Sequence, residues 1–376
     1  MVVDVFFTQR KVIAMHKNRS FFAFILFVLL LSHSFVFGQS NSQPFAFEFE
    51  NKTLKGFIDT PKDKTSKALV LLIPGYGRTN FAEGRTYPKL REKLTGYGLT
   101  VVVWDKMGCG NSEGIFDANQ PVDNSAKEAH EAIKKLKIMN IQGSDKIGLW
   151  GLSRGGWICP LINDLYAVDF WISVSGPTDK ENYGYLLESN LVIEGKTKQE
   201  AAQLYESWKQ SQKIFFTGGS YKDYLDAKRP LTKDSLAVKL FGFKDVVDIT
   251  EEGRKKYKEQ QTLYMNTDDG YFDLESGLWV YIENFPQLLS KVNCPVLAIY
   301  GEGDSQVDWR ASKQLYEDVY QDSGNLTIQT FTDCNHILRK CKTCGWKEDL
   351  SKFEWAFCDG YFETMEQWLK TQKFIE

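Results

Sequence analysis

The sequence predicts an α/β fold, with a mostly parallel central sheet covered by helices on both faces. Three observations predict it. Continuous apolar runs of strand length recur along the chain, segments with apolar residues at helical spacing separate them, and glycine-rich turns follow several of the runs. Strands that are apolar throughout are typical of a sheet buried on both faces, so the alternation favours this class over an open antiparallel sheet.

Four apolar runs in the first half of the chain predict buried strands, and helical patterns lie between them. The predicted strands fall within 67–77, 99–114, 145–151 and 168–176. The predicted helices fall within 88–98 and 126–139, and a further helix begins in the stretch SRGGWICPLINDL. Residues 39–66 are long enough for only a short strand or hairpin before this series.

The alternation stops after the fourth strand and resumes near residue 291. Residues 177–289 contain no clear buried strand and are rich in Lys, Glu, Gln, Tyr and Phe. Two more strands then follow at 295–304 and 325–336, with a helix between them and an amphipathic helix at the end. We therefore predict a leader at 1–38, a core formed by 39–176 and 291–376, and a helical cap inserted at 177–290.

The first 38 residues have the layout of a secretory signal peptide. Basic residues precede the apolar run at 21–31, and small residues follow it up to position 38. We expect cleavage before Gln39 and a protein that is periplasmic or secreted, with no stable membrane insertion after cleavage. The alternative is an uncleaved anchor, although polar residues at 32–34 leave the apolar run short for a bilayer span. Met15 is an alternative start.

The charge balance is mildly acidic, with 46 Lys and Arg against 49 Asp and Glu. Nucleic-acid binding leaves a basic footprint that this composition does not carry, so no nucleic-acid partner is expected. Aromatic residues make up 14% of the chain, which suits a large core and also apolar ligands.

All seven cysteines follow the predicted leader, and four of them cluster near the C-terminus. Export permits disulfides, and three complete pairings are open for the cluster of Cys334, Cys341, Cys344 and Cys358. Cys341 and Cys344 also form half of a zinc motif, but no second Cys-x-x-Cys pair completes it, and we expect neither a metal nor an organic cofactor. The remaining three are Cys159 and Cys294, expected to be buried thiols, and Cys109, which stays unassigned.

Ser153 lies in GLSRG, between a predicted strand and the helix that follows it. A sharp strand-to-helix turn holds such a hydroxyl at the C-terminal edge of the sheet, and a Cβ at Gly151 or Gly155 would collide with that turn. The helix N-terminus favours developing negative charge. The pattern is typical of a nucleophile, although a serine N-cap in a glycine-rich turn produces the same pentapeptide.

A serine nucleophile needs a neighbouring base, and histidine is the first candidate. Two of the four histidines lie in the predicted leader. Of the others, His130 lies in a helical pattern and is expected at the surface, whereas His336 follows a predicted strand in a polar loop. Asp304 follows the strand PVLAIYG, where a loop can reach inward to hold the base. Glu302 and Asp308 are the alternatives for this acid.

With these residues in place, the chain resembles an α/β-hydrolase. The matching motifs are PGYG, DKMGCGNSEG, GLSRGG, GEGDSQVD and CNHIL, in family order, and they cover most of 65–176 and 291–376. The resemblance implies an α/β-hydrolase fold with a helical cap inserted between two late strands. It also implies a catalytic triad of Ser153, Asp304 and His336.

The same resemblance assigns an oxyanion hole to the backbone N–H groups of Tyr76 and Arg154. Asp105 is implied to form a structural turn beside the site and not to react. The segment after His336 is longer and richer in cysteine than a minimal member requires. We therefore expect a disulfide-pinned flap near the mouth of the site.

The expected function is that of an exported serine hydrolase that cleaves carboxylic esters through an acyl-enzyme. The capped layout is similar to that of exported bacterial esterases and of capped aminopeptidase-like hydrolases, so a serine peptidase or amidase with the same triad is the alternative. A non-catalytic binding module is a third hypothesis. The expected partners are small ester molecules or short peptides, and the cap aromatics are expected to form mainly the core of the cap itself.

Overall fold

A computed structural model describes residues 40–84, 86–118, 120–244, 249–266, 270–349 and 356–376. The predicted signal peptide and its cleavage site before Gln39 lie outside these residues. Within the described ranges, no helix is both long enough and apolar enough to cross a membrane.

The strands of the described residues form one large sheet and one small hairpin. They are β1 (Ser40–Phe49), β2 (Lys52–Pro61), β3 (Leu69–Ile73), β4 (Thr100–Trp104), β5 (Ile147–Leu152), β6 (Phe170–Val174), β7 (Tyr271–Asp273), β8 (Leu278–Val280), β9 (Val296–Gly301) and β10 (Leu326–Phe331). The large sheet has the order β1-β2-β4-β3-β5-β6-β9-β10. β1 and β2 pair antiparallel, as do β2 and β4, and all other neighbours are parallel. The predicted α/β class is confirmed.

Helices cover both faces of this sheet and form the insertion. In chain order they are α1 (Pro88–Tyr97), α2 (Val122–Met139), α3 (Gly155–Leu165), α4 (Tyr183–Ile193), α5 (Lys198–Phe216), α6 (Tyr221–Lys233), α7 (Ser235–Phe241), α8 (Glu251–Met265), α9 (Phe285–Ser290), α10 (Trp309–Tyr320) and α11 (Tyr361–Thr371).

The central strands are buried on both faces because successive side chains point to opposite sides. In β3, Leu69 and Leu71 pack into the cluster formed with α2, α3 and α10. Val70 and Leu72 pack into the cluster formed with α1 and α11 on the other face. This two-sided burial explains why these strands are continuous apolar runs in the sequence.

A buried ion pair joins α1 to the edge of the sheet. Arg91 Nε lies 2.8 Å from Asp59 Oδ2, and Arg91 Nη2 lies 3.0 Å from Asp59 Oδ1. Both side chains are almost fully buried. The two parallel contacts give the fork geometry in which arginine binds a carboxylate most strongly.

The helical insertion predicted between two late strands is confirmed, since α4 to α8 lie between β6 and β9. Its aromatic residues form a core of their own, which includes Tyr183, Trp208 and Phe241. The hairpin of β7 and β8 was not predicted. Its strands have three residues each and are mostly half-exposed, so they leave no apolar run in the sequence.

The parallel strands end together at one edge of the sheet. Ile73 pairs with Gly151, Leu152 with Val174, and Val174 with Ile299. The loops that follow β3, β5, β6 and β9 therefore emerge side by side. In parallel sheets this carboxyl edge is where binding and catalytic residues gather.

Candidate active site

Ser153 occupies the turn between β5 and α3 with a backbone φ of 55°. A positive φ is uncommon for residues other than glycine and costs about 1–3 kcal/mol, and such strain concentrates at functional sites. The Ser153 N–H donates to the Val174 carbonyl at 2.8 Å, and the Ser153 carbonyl accepts from the Gly156 N–H at 2.7 Å. The turn is thus held from both sides with the side chain partly exposed at the sheet edge.

The glycines around Ser153 are required by close packing, as the sequence predicts. A Cβ on Gly151 would lie 2.6 Å from Cys159 Sγ, and a Cβ on Gly155 would lie 2.8 Å from the Ile73 carbonyl oxygen. Gly155 is the more restrictive position because its neighbour is backbone. Only glycine lets the first turn of α3 approach β3 this closely.

Asp304 and His336 meet in a buried hydrogen bond. His336 Nδ1 lies 2.8 Å from Asp304 Oδ2, and the two residues are 5% and 3% exposed. The other carboxylate oxygen, Oδ1, accepts from the backbone N–H groups of Gln306 at 2.8 Å and Val307 at 3.0 Å. The carboxylate is therefore fixed by its own loop, and it holds the imidazole with Nδ1 as the donor.

The alternative acids have other partners. The Glu302 carboxylate accepts from Thr330 Oγ1 at 2.8 Å. The Asp308 carboxylate caps α10 by accepting from the backbone N–H groups of Arg310 and Ala311. His130 lies half-exposed on α2, as expected. Of these three acids, Asp304 is the one that contacts His336.

His336 reaches the same edge as Ser153 through the end of β6. Ser175 Oγ donates to the His336 carbonyl at 2.8 Å, and Ser175 directly follows Val174, which accepts from the Ser153 N–H. No hydrogen bond within the described residues joins Ser153 Oγ to the His336 ring. In ligand-free sites such hydrogen bonds are often long and tighten when substrate binds.

Two disulfides brace the segment that carries His336. Cys334 is bonded to Cys358, and Cys341 is bonded to Cys344. This is one of the three complete pairings that the sequence left open. Of the free thiols, Cys109 and Cys159 are buried and Cys294 is half-buried.

The Cys341–Cys344 disulfide packs against the loop that carries the acid. Ser305 Oγ donates to the Cys344 carbonyl at 2.8 Å, and a Cβ on Gly303 would lie 2.3 Å from Cys344 Sγ. The disulfide segment and the Asp304 loop therefore support each other on one side of the site.

The loop PGYG after β3 lies over Ser153. A Cβ built on Gly75 would lie 3.2 Å from Ser153 Cβ and 3.8 Å from Ser153 Oγ. The Tyr76 hydroxyl lies 3.2 Å from the hydroxyl of Tyr281, which comes from the end of the insertion. The guanidinium of Arg154 lies 5.3 Å from the centre of the Tyr76 ring. Gly75, directly before Tyr76, therefore lies against Ser153, and Arg154 directly follows the serine; the oxyanion hole expected at the Tyr76 and Arg154 N–H groups stays a prediction.

A buried polar cluster behind this loop was not predicted from the sequence. Glu128 on α2 accepts from Trp104 Nε1 at 2.6 Å and from Gln120 Nε2 at 3.1 Å. Burial raises the pKa of Glu128, and these two hydrogen bonds oppose the rise. The Arg154 guanidinium donates to Ser125 Oγ and to the Gln120 carbonyl. The one sequence signal for this cluster is Glu128, an acid on the buried, alanine-rich face of α2.

Lys106 comes directly after Asp105, the residue that follows β4, and its side chain belongs to the same polar cluster. Burial and the nearby charge of Arg154 lower the pKa of Lys106 to about 8. Asp105 is buried and accepts from the Phe81 N–H at 2.7 Å, in keeping with the structural turn that the sequence implies. The sequence predicted a glycine-rich loop here, but nothing in it indicated a role for Lys106.

A cavity of about 320 Å³ lies beside the candidate triad. Two of its lining residues, Leu152 and Ile337, directly adjoin Ser153 and His336 in the chain. The described lining residues are Pro74, Tyr76, Gly77, Arg78, Thr79, Thr86, Tyr87, Pro88, Lys89, Leu90, Trp150, Leu152, Val174, Ile337, Arg339, Phe357 and Tyr361. They are mostly apolar or aromatic, which is typical of a small-molecule site.

The described residues contain no cluster of three or more His, Cys, Asp or Glu side chains arranged to hold a metal ion. The two cysteines of the candidate zinc motif are bonded to each other instead.

A family model described as X-Pro dipeptidyl-peptidase (S15 family) matches residues 53–336. This span runs from β2 to His336 and includes Ser153 and Asp304. The chain belongs to the S15 peptidase family. The family match and the fold together place the chain in the α/β-hydrolase class.

Solved structures agree on the fold of this S15 chain. An esterase of Pyrococcus furiosus is 16% identical and aligns with a TM-score of 0.51, covering 93% of this chain and 96% of the esterase. A second crystal form of that esterase aligns with a TM-score of 0.50 over 92% of this chain and 95% of the esterase. At such low identity the likeness shows the α/β-hydrolase fold alone.

Curated relatives match shorter stretches of the S15 chain. A polyketide transferase of a Penicillium species is 27% identical over 104 residues, which is 28% of this chain and 34% of the relative. A proline iminopeptidase of Thermoplasma volcanium is 44% identical over 59 residues, which is 16% of this chain and 18% of the relative. The match therefore spans at most about a third of the length of either protein.

Proposed function

We propose that this S15 chain hydrolyses carboxylic esters, with Ser153 as the nucleophile, His336 as the general base and Asp304 as the acid that orients it. The observation that carries the proposal is the buried contact of 2.8 Å between His336 and Asp304, at the same sheet edge as the strained turn of Ser153. A base that is oriented by a carboxylate and lies at the same sheet edge as a partly exposed serine is the arrangement that activates a hydroxyl.

The reaction has two halves. His336 Nε2 takes the proton of the Ser153 hydroxyl while Oγ attacks the ester carbonyl carbon. The tetrahedral intermediate collapses with cleavage of the bond to the alcohol, which leaves with the proton from His336. Water then attacks the acyl-enzyme by the same route, which releases the carboxylic acid and restores Ser153.

The negative oxygen of each intermediate needs donors that are already in place. The proposed donors are the backbone N–H groups of Tyr76, which follows Gly75 in the loop over Ser153, and of Arg154, which directly follows the serine. A donor of this kind lowers the barrier by about 3 kcal/mol, since it is directed at charge that develops only in the transition state.

The cavity beside the triad supports an ester substrate over a dipeptidyl substrate. A dipeptidyl-peptidase binds the free ammonium group at the N-terminus of its substrate, and a buried ammonium needs a carboxylate partner. Among the described residues that line the cavity none is acidic, and Arg78, Lys89 and Arg339 are basic. This lining favours an uncharged or anionic acyl group.

The second candidate is cleavage of peptides after an X-Pro pair. It is favoured by the family model, which is described by that activity and spans all three proposed triad residues. The same Ser153 chemistry applies, with an amine as the leaving group.

A substrate comparison separates the two candidates. We expect p-nitrophenyl esters of short acids to exceed Gly-Pro and Ala-Pro p-nitroanilides by about 100-fold or more in kcat/KM. Because nitrophenyl esters are intrinsically reactive, an ethyl ester followed by acid release serves as the unactivated check. Turnover of the anilides with inert esters would reverse the assignment.

The serine mechanism is tested by covalent labelling. A fluorophosphonate probe should label the protein once, and Ser153→Ala should abolish both labelling and ester hydrolysis. Ser207→Ala is the matched control, because Ser207 is half-exposed on α5 and, among the described residues, its hydroxyl donates to the Gln203 carbonyl of its own helix. Labelling that survives in Ser153→Ala would remove the basis of the proposal.

We also propose that the chain is exported, as its leader pattern predicts. The two disulfides support this, because disulfides persist in oxidising compartments and are rare in the cytosol. N-terminal sequencing of the protein from the periplasm or medium of expressing cells should begin at Gln39. An intact leader on protein recovered from the cytosol would contradict the proposal.

A further inference from the structure

Lys106 lies directly behind the loop that carries a proposed oxyanion donor. Its ammonium Nζ lies 2.5 Å from the Gly75 carbonyl oxygen and 3.1 Å from the Gly77 carbonyl oxygen. Among the described residues, its hydrogen bonds end on these two carbonyls and on no carboxylate. The positive charge of Lys106 is therefore directed at the backbone of PGYG.

The Gly75 carbonyl and the Tyr76 N–H belong to the same peptide group. In a trans peptide the C=O and N–H bonds point in opposite directions. Because Lys106 binds the Gly75 carbonyl oxygen, the Tyr76 N–H points away from the buried cluster. A cation on the carbonyl oxygen also withdraws electrons through the conjugated amide, which makes the N–H a stronger donor. Both effects act on the donor next to Ser153.

The surroundings maintain this arrangement. The Lys106 backbone N–H donates to Thr79 Oγ1 at 2.8 Å. This hydrogen bond connects the Lys106 backbone to the far end of the loop that contains PGYG. The titratable or charged groups that face the ammonium are Glu128 from α2, Arg154 before α3, and Cys109 and Asp117 from the segment after β4.

We propose that Lys106 is a positioning residue for the oxyanion hole, which orients and polarises the peptide group between Gly75 and Tyr76 when its side chain is protonated. The inference rests on the proposed ester hydrolysis at Ser153. It adds a residue that contacts no substrate and acts through the backbone of the donor.

The protonation state of Lys106 gives a readout that a purely structural role would not move. Burial and the charge of Arg154 lower its pKa to about 8, against the raising effect of Glu128. The ammonium is present below that pH and lost above it. We expect kcat of the wild-type enzyme to decline above about pH 8.

Two substitutions test this. Lys106→Met removes the charge and should lower kcat about 10- to 100-fold with KM changed less than about 3-fold, because the support acts in the transition state. Lys106→Arg keeps a charge that does not titrate in this range. It should hold kcat within about 10-fold at pH 7 and abolish the alkaline decline. Lys127→Met, on the exposed face of α2, is the matched control and should behave as wild type.

The outcomes distinguish this inference from the proposed function. If Ser153→Ala is inactive while folded Lys106→Met keeps wild-type kcat and its alkaline decline, the role of Lys106 is wrong and the serine mechanism stands. If Lys106→Met does not fold, an alkaline decline that persists unchanged in folded Lys106→Arg overturns the inference. If Ser153→Ala stays active, the proposed function itself fails first.

Discussion

The Asp304→Asn variant tests the acid–base geometry most directly, because its backbone contacts decide how the new amide must lie. Asp304 Oδ1 accepts from the N–H groups of Gln306 and Val307 at 2.8 and 3.0 Å. Only the amide oxygen of Asn can accept these two bonds. The amide NH₂ must then occupy the place of Oδ2, which lies 2.8 Å from His336 Nδ1.

An NH₂ group facing Nδ1 forces the wrong tautomer on His336. Nδ1 must then accept a hydrogen bond, so the ring proton moves to Nε2, the nitrogen that should take the Ser153 proton. We expect kcat to fall about 10⁴-fold, as when a triad carboxylate elsewhere becomes an amide that imposes the wrong tautomer. This corresponds to about 5.5 kcal/mol of barrier height. The fold should be unchanged because the amide is isosteric and keeps both backbone bonds.

The assay is steady-state hydrolysis of a p-nitrophenyl ester, with circular dichroism and urea unfolding to confirm the fold. Asp308→Asn is the matched control, since Asp308 caps α10 and asparagine caps helices equally well. It should keep kcat within about 2-fold. A folded Asp304→Asn enzyme with more than about a tenth of the wild-type kcat would refute the tautomer argument.

Three further predictions concern stability. Replacing Cys334 and Cys358 by serine opens a link with a sequence separation of 24 and should lower the free energy of unfolding by about 3 kcal/mol, measured in urea without reductant. Arg91→Met leaves Asp59 buried without its partner and should cost about 3–5 kcal/mol in the same assay, whereas changing both residues to apolar ones should cost less. Burial raises the pKa of Glu181 to about 7, so the folded state holds a proton that the unfolded chain has already released. The free energy of unfolding should therefore fall as pH rises from about 4.5 to 7. At pH 8 the free energy of unfolding of Glu181→Gln should be about 3 kcal/mol higher than that of wild type. A pH-independent difference between these two proteins would contradict the burial argument.

Strands buried on both faces could be predicted from the sequence because the sheet imposes a local pattern. β3 is apolar at every position, β4 is apolar after its first residue, Thr100, and β5 contains only apolar residues and glycine; each strand is buried throughout. β7 and β8 have no such pattern, since they are three residues long and pair at the surface of the insertion. Their pairing depends on the position of neighbouring helices, which a local pattern does not encode.

The candidate site likewise contains residues that could be predicted from the sequence and contacts that could not. Asp304 and His336 follow recognisable strands, so their loops could be assigned to one sheet edge before the distance between them was known. The contact of Lys106 with Gly75 joins two loops from neighbouring strands and leaves no periodic signal. The disulfide pairing likewise depends on distances between loops, which the spacing of the cysteines does not determine.

The order of the strands also has a consequence for how the protein folds. β6 and β9 are neighbours in the sheet, yet the whole helical insertion lies between them in the chain. Closing such a long stretch of chain carries an entropic cost before the pairing can compensate it, so this contact should be among the slower ones to form. The strand that leads to Ser153 can assemble with its neighbours earlier than the strand that brings Asp304. During refolding, helical structure should therefore recover well before ester hydrolysis does.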